Sequence, residues 1–215
     1  MTEQIRSVSA EQINDMEARY RANFVNSLSG FKSACLLGTS DGQTDNLAIV
    51  SSPVHIGANP PLLGLIMRPH SVQRDSLSNI KQFHDYTLNH VHHSWTDKAH
   101  QTAARYPADT SEFSAVGLTP WYSTALNAPY VAESHVKIGL RLVQRQVLCN
   151  DTELLIGAVQ EVLVTDTHIA DDGYVDLEAL GSACISGLDS YHQTTRLAQY
   201  AYAKPDQPLH QKNGK

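Results

Sequence analysis

Apolar residues recur at helical spacing near the start of the chain, where Ile13, Met16, Tyr20 and Phe24 fall three or four positions apart. Ser9 with Gln12 three residues later is a capping-box signature, and Gly30 supplies a stop, so the pattern predicts one amphipathic helix between them. Beyond Gly30 the texture changes to short apolar runs at residues 33–39, 47–56 and 62–67, punctuated by Ser40-Asp41-Gly42 and Asn59-Pro60-Pro61. Runs of this length between turn residues read as strands of an antiparallel sheet. A second helix is expected from Asp75 to about His84, followed by a strand over 86–91. Residues 92–120 form a polar stretch with one helix opened by Thr96-Asp97, too long for a tight turn and read as an inserted excursion. Strand texture returns over 136–148 and 154–164, both rich in Val, Ile and Leu. Asp171-Asp172-Gly173 makes a turn, the segment from Ser190 is Tyr-rich, and a polar end from Pro205 is expected to fray. The whole predicts a single mainly β domain over residues 1–215, a barrel or sandwich with an N-terminal helix and inserted helices.

Composition narrows the partners. The 215 residues are 41% hydrophobic and 18% charged, ordinary for a globular chain that buries its own core without staples. Sixteen Lys and Arg against 22 Asp and Glu give a net charge of -6, the wrong sign for binding nucleic-acid phosphates. The longest apolar run, residues 62–67, is far short of a membrane span, and residues 1–16 lack the apolar core of a secretory signal. Three widely spaced cysteines (Cys35, Cys149, Cys184) without a C-x-x-C pair argue against a disulfide framework and fit a reducing cytoplasm. Cys35, flanked by Ala34 and Leu36, reads as a small buried hydrophobe.

The motifs exclude further classes. No G-x-G occurs and no two glycines stand five apart, so neither a Rossmann fingerprint nor a Walker loop is present. G-x-S-x-G is absent too. Five histidines, His84, His90, His92, His93 and His100, fall within seventeen residues. Without an H-E-x-x-H spacing, and with His92 and His93 expected to point apart on a strand, a polar rim is favoured over a metal-binding module.

The informative segment is residues 46–74, 29 positions without an Asp or Glu and with Arg68 and Arg74 near its end. Small apolar side chains at Leu47, Ala48, Ile49 and Val50 lead into the paired hydroxyls of Ser51 and Ser52. A flat heteroaromatic ring could lie on the 47–50 backbone and bond its free N–H and C=O groups, while the serines and arginines take a phosphate. Arg-to-phosphate bonds contribute on the order of 1.5–3 kcal/mol each, enough to hold a mononucleotide without a glycine loop. A buried hairpin would give the same absence of carboxylates.

The succession Asn46-Leu47-Ala48, Ser51-Ser52, Asn59-Pro60-Pro61, Arg68-Pro69, Arg74-Asp75-Ser76 with Asn79-Ile80, and Tyr86-Thr87-Leu88-Asn89 resembles the flavin reductase-like proteins of the FMN-binding split-barrel fold, in particular the flavoredoxin type. Ser111-Glu112-Phe113, Gly117-Leu118-Thr119, Ala128-Pro129, Glu133-Ser134, Ile156-Gly157 and Gly187-Leu188-Asp189-Ser190-Tyr191 continue the order, so the resemblance spans about residues 19–205. It implies a six-stranded Greek-key split β-barrel, a homodimer, FMN or FAD near the subunit interface, and NAD(P)H as hydride donor. By position, Asn46, Leu47, Ala48, Ile49 and Val50 would line the flavin ring, with Ser51, Ser52, Arg68, Arg74 and Ser76 around the ribityl chain and phosphate. Either arginine could take the phosphate. Asn89 would reach the flavin or stitch the barrel, and Tyr191, Tyr200 and Tyr202 would cover the partner's flavin or pack the barrel mouth. Thr152 stands where many relatives carry a His. The resemblance implies an NAD(P)H-dependent flavin oxidoreductase or, alternatively, an FMN-carrying electron-transfer protein without turnover; it names no catalytic residue.

Overall fold

The computed structural model describes residues 5–69, 75–107 and 109–212. Its frame is a seven-stranded antiparallel sheet built from β2 (Cys35–Ser40), β3 (Asp45–Val50), β4 (Pro53–Ala58), β5 (Pro61–Met67), β6 (Asp85–His90), β9 (Val136–Val147) and β10 (Glu153–Val164), in the order β3-β2-β6-β9-β10-β5-β4. The two edge strands, β3 and β4, are separated in the chain only by Ser51 and Ser52. Two linking residues reach no more than about 11 Å. The sheet must therefore curl until its edges meet at that corner. Counted as one strand bent there, β3 and β4 complete a ring of six strands, with a seam left unpaired between β3 and β5. This is a split barrel, the architecture the resemblance implied.

Alternation along the strands sorts the apolar residues into two cores. Inside the barrel Cys35, Leu37, Leu65, Tyr86, Leu88, Leu140 and Leu155 pack together, and Leu77 and Ile80 of helix α3 (Asp75–Phe83) close one end. Gly157 makes room for a large ring: a Cβ there would lie 2.2 Å from the Tyr86 hydroxyl. Outside, Leu36, Leu47 and Val91 are covered by Trp95, by Ala99 of α4 (Thr96–Gln101), by Phe113 and Val116 of α5 (Glu112–Val116), and by Ala183 and Ile185 of β11 (Ala183–Ser186). The polar excursion is thus a second layer over one half of the barrel. β11 pairs with β1 (Lys32–Ser33) and β12 (Ser190–Gln193) in a small three-stranded sheet, and β7 (Pro120–Trp121) pairs with β8 (Tyr130–Val131).

Three local expectations change. The N-terminal helix is two, α1 (Ala10–Asn14) and α2 (Ala18–Leu28): the capping box of Ser9 and Gln12 opens the first, and the Glu17 carboxylate caps the second by accepting from Tyr20 N–H. Neither helix buries a residue. The run 47–56 is broken at Ser51 and Ser52 because Pro53 opens the next strand. His92 and His93 lie where β6 has ended and a 3₁₀ turn begins, so their rings stack at 4.2 Å rather than pointing apart.

Candidate functional site

The barrel corner gathers several of the residues singled out by sequence. Ser52 Oγ donates to the Ile66 carbonyl at 2.8 Å, and Ile66 N–H donates back to the Ser52 carbonyl at 3.2 Å, pinning the bend onto β5. Pro53 faces Leu65 in the β4–β5 register, and exposed Arg68 lies three residues further along, just past the end of β5. Ser76 is buried in the first turn of α3, the helix that packs on β2 and β3 and whose N-terminal end carries partial positive charge. Arg74 lies outside the described residues. The corner therefore offers the Ser51 hydroxyl and, nearby, the exposed Arg68 on a segment without Glu and, before Asp75, without Asp. That donor set suits a phosphate dianion.

The wall expected from Asn46 to Val50 is divided by the two-residue period of a strand. Leu47 is fully buried in the outer core and Ile49 packs against it, while Val50 packs on the inner core, so these side chains cannot line one ring face together. The backbone of this strand is not free either. Leu47 N–H donates to the Glu112 carboxylate and Ile49 N–H to Thr102 Oγ1, both at 2.9 Å, and the Asp45 carbonyl accepts from Ser111 Oγ. The excursion helices thus cap the outer edge of β3, which corrects the expectation of open main-chain groups on Leu47 and Ile49. Ala48 remains half-buried on the strand between them. Asn46 Oδ1 accepts from Asn79 Nδ2 at 3.0 Å, tying β3 to α3. Asn89 is a stitch: its amide donates to the Leu36 carbonyl at 3.1 Å and to Thr87 Oγ1 at 2.9 Å, and its oxygen accepts from Val131 N–H at 3.0 Å.

A charge cluster missed in the sequence borders the corner. Glu153 opens β10 opposite Met67, and its carboxylate binds Arg145 Nε and, at 3.1 Å, Lys81 Nζ of α3. The Arg145 hydrogen bond outweighs partial burial and holds its pKa down to about 2. Thr152, just before it, is buried. Tyr191 bonds His100 at 3.2 Å and packs on the outer core, whereas Tyr200 and Tyr202 are exposed.

A concavity of about 1150 Å³ lies at the other end of β3, lined by Ser40, Thr44, Asp45, Ser111, Tyr122 and Ser123 among others. Its described lining holds two aspartates and neither Lys nor Arg, a poor setting for a phosphate. Two of its hydroxyls are already engaged: Tyr122 bonds the Asp45 carboxylate and Ser123 the Glu161 carboxylate. Among the described residues no three His, Cys, Asp or Glu side chains are grouped to hold a metal ion, and no helix is long and apolar enough to cross a membrane.

Residues 28–178 match the model of the flavin reductase like domain. The chain belongs to that family. A candidate flavin reductase with a split barrel domain from Shewanella frigidimarina NCIMB 400 is 49% identical over 92% of this chain and all of that one, with a TM-score of 0.88. The flavoredoxin of Desulfovibrio vulgaris (Miyazaki F) shares the fold at a TM-score of 0.67, with 18% identity over 82% of this chain and 92% of that one. An uncharacterized protein of Aquifex aeolicus is 25% identical over 125 residues, 57% of this chain and 63% of that relative.

Proposed function

We propose that this chain binds FMN, or FAD, at the barrel corner and works as an NAD(P)H-dependent flavin oxidoreductase in a reducing cytoplasm. The observation that carries the reading is the family match over residues 28–178, together with a phosphate-compatible donor set at the corner. A bound flavin would supply hydride acceptance from a reduced nicotinamide and delivery of electrons to a second flavin or another acceptor. The chain's own part is to bind and orient. Ser51, Ser76 and the arginines Arg68 and Arg74 hold the phosphate end, Ser52 fixes the bend beneath them through Ile66, and the half-buried surface of Ala48 lies beside the ring. Hydride transfer asks for no protein acid or base, so none is assigned. The reading extends to a homodimer, since the outer face of β4 carries the exposed apolar side chains Val54 and Ile56 with no layer over them among the described residues.

The test is an absorbance spectrum of the purified protein, an FMN titration, and steady-state oxidation of NADH and NADPH. Flavin bands with turnover support the reductase. Flavin bound without turnover supports an electron carrier of the flavoredoxin kind. A colourless protein that neither takes up flavin nor oxidises either nicotinamide overturns both.

A further inference from the structure

Three imidazoles and the main-chain N–H of a fourth histidine converge on three consecutive residues, Leu180, Gly181 and Ser182, that lead into the β11–β12 hairpin. His90, at the end of β6, bonds Ser182 Oγ through Nδ1 at 3.1 Å. His135, just before β9, bonds the Leu180 carbonyl through Nδ1 at 3.1 Å. His93 N–H donates to the Gly181 carbonyl at 2.9 Å. His92 lies against Gly181 so closely that a Cβ there would be 2.2 Å from its Nε2, and φ of +68° at this position independently requires glycine. The His92 ring stacks on His93 at 4.2 Å and meets His135 edge-on at 4.9 Å. The tripeptide is therefore seated beside three imidazole rings, each packed within 4.2–4.9 Å of the next, where charges on neighbouring rings repel, and on the His90 ring bonded to Ser182.

We propose that this cluster is an acid-sensitive latch: neutral, it clamps the root of the β11–β12 hairpin to the barrel, and on acidification the charge it gains lets the hairpin lift. The consequence reaches the outer core, because Ala183 and Ile185 of the hairpin pack there with Leu47, and Tyr191 and Ile49 pack against the same cluster. A lifted hairpin would loosen the backing of β3. This goes beyond the proposed flavin chemistry and stands without it.

The surrounding charges do not neutralise the cluster. On the 176–182 segment Asp176 and Glu178 both pair with Arg196. On β9 Lys137 donates to the Ser134 carbonyl, and Glu133 ahead of that strand binds Thr119. On α4 Lys98 donates to the Gly117 carbonyl and His100 bonds Tyr191, and Asp97 belongs to the same helix. Lys32 of β1 reaches the Gly187 carbonyl, while His192 of β12 bonds Ser186 and Asp189 sits in the hairpin turn. Burial pushes the His90 pKa down to about 4, and burial with the two neighbouring imidazoles lowers that of His92. Both groups bind a proton more readily once the hairpin is open, so opening takes up protons below about pH 6.5. Each such proton multiplies the opening constant about tenfold per pH unit inside that window.

Hydrogen exchange of the full chain at pH 7.5 and 5.5, corrected for intrinsic rates and run with and without FMN, reads the latch directly. The expected result is a loss of at least tenfold in protection over residues 183–193 with β9 and β10 unchanged, and loss of that response in a His90→Gln, His92→Gln variant. Unchanged hairpin protection in the wild type overturns the latch, as does a variant that keeps the response. Should the variant fail to fold, imidazole titration by NMR decides: His90 and His92 titrating well below pH 6.5 support the latch, and titration at or above it overturns it. None of these readouts depends on flavin binding or turnover.

Discussion

At the scale of single residues, Asn89 and Arg68 separate stitching from binding. Asn89 is fully buried and satisfies a carbonyl, a hydroxyl and a main-chain N–H on three different segments. Replacing it with leucine leaves those groups without partners, at about 1–3 kcal/mol for each that stays dry. Asn89→Leu is therefore expected to lose about 2–4 kcal/mol in urea unfolding, while the FMN dissociation constant of the folded fraction stays within about twofold. A large loss of flavin affinity with unchanged stability would return Asn89 to the binding site. Arg68 carries the opposite expectation. It is exposed and lies just beyond β5, so Arg68→Ala should leave stability within about 0.5 kcal/mol and weaken FMN binding by roughly tenfold or more. An unchanged flavin titration would take Arg68 out of the phosphate site and leave Arg74 as the cation to test.

At the scale of elements, the strands of the barrel were legible because short apolar runs between Gly, Asn, Asp and Pro have few other readings. Helix α3 and the long β9–β10 pair fall within a residue or two of the pattern. Two features were not legible. The break of α1 from α2 depends on the Glu17 side chain capping a second helix, a choice that the three-to-four spacing of Ile13, Met16, Tyr20 and Phe24 does not record. The closure of the β3 edge depends on Thr102 and Glu112, which lie 53 and 65 residues from their partners, and periodicity carries no information at that range. The candidate site shared this fate: its hydroxyls and arginine could be picked from a carboxylate-free segment, but the sorting of Leu47 and Val50 to opposite cores could not. The tie between α3 and the β9–β10 pair is another such contact, and it makes a pH prediction. Glu153 has its pKa lowered to about 2 against 4.5 for a free carboxyl, so the native state binds fewer protons than the unfolded chain between those values. Its contribution is complete above about pH 4.5 and disappears as pH falls toward 2. Because Lys81 and Arg145 are 38% and 42% exposed, solvent screening leaves about 1–2 kcal/mol. Thermal melts should show the wild type losing its advantage over Glu153→Gln across that interval, and an advantage that persists at pH 2 would sink the assignment.

Across the whole molecule the second layer is lopsided. The outer face of β2, β3 and β6 lies under α4, α5 and β11, whereas that of β4, β5 and β10 has no layer over it among the described residues. There Val54, Gly64 and Ile156 stand side by side in register, and the Val54, Ile56 and Leu154 side chains converge over Gly64. Val54 and Ile56 are each 41% exposed, and Ile66, Leu154 and Ile156 are only half-buried. β4 is also a sheet edge with unpaired main-chain groups, bearing no charged side chain and no proline beyond its first residue, the features that normally blunt such an edge. An apolar stripe on an unprotected edge is costly to leave in water and is well suited to meet its own copy about a two-fold axis. Wild-type protein is therefore expected to sediment as a dimer at micromolar concentration, and Val54→Asp with Ile56→Asp as a monomer, because two carboxylates would be buried against each other's copies. The same variant also tests what the dimer does for the corner. Val54 is three residues from Ser51, so if the second subunit helps enclose the flavin, the monomer should bind FMN at least tenfold more weakly while keeping its far-ultraviolet circular dichroism. A variant that remains dimeric places the interface elsewhere, and a monomer with undiminished flavin affinity makes the corner complete within one chain.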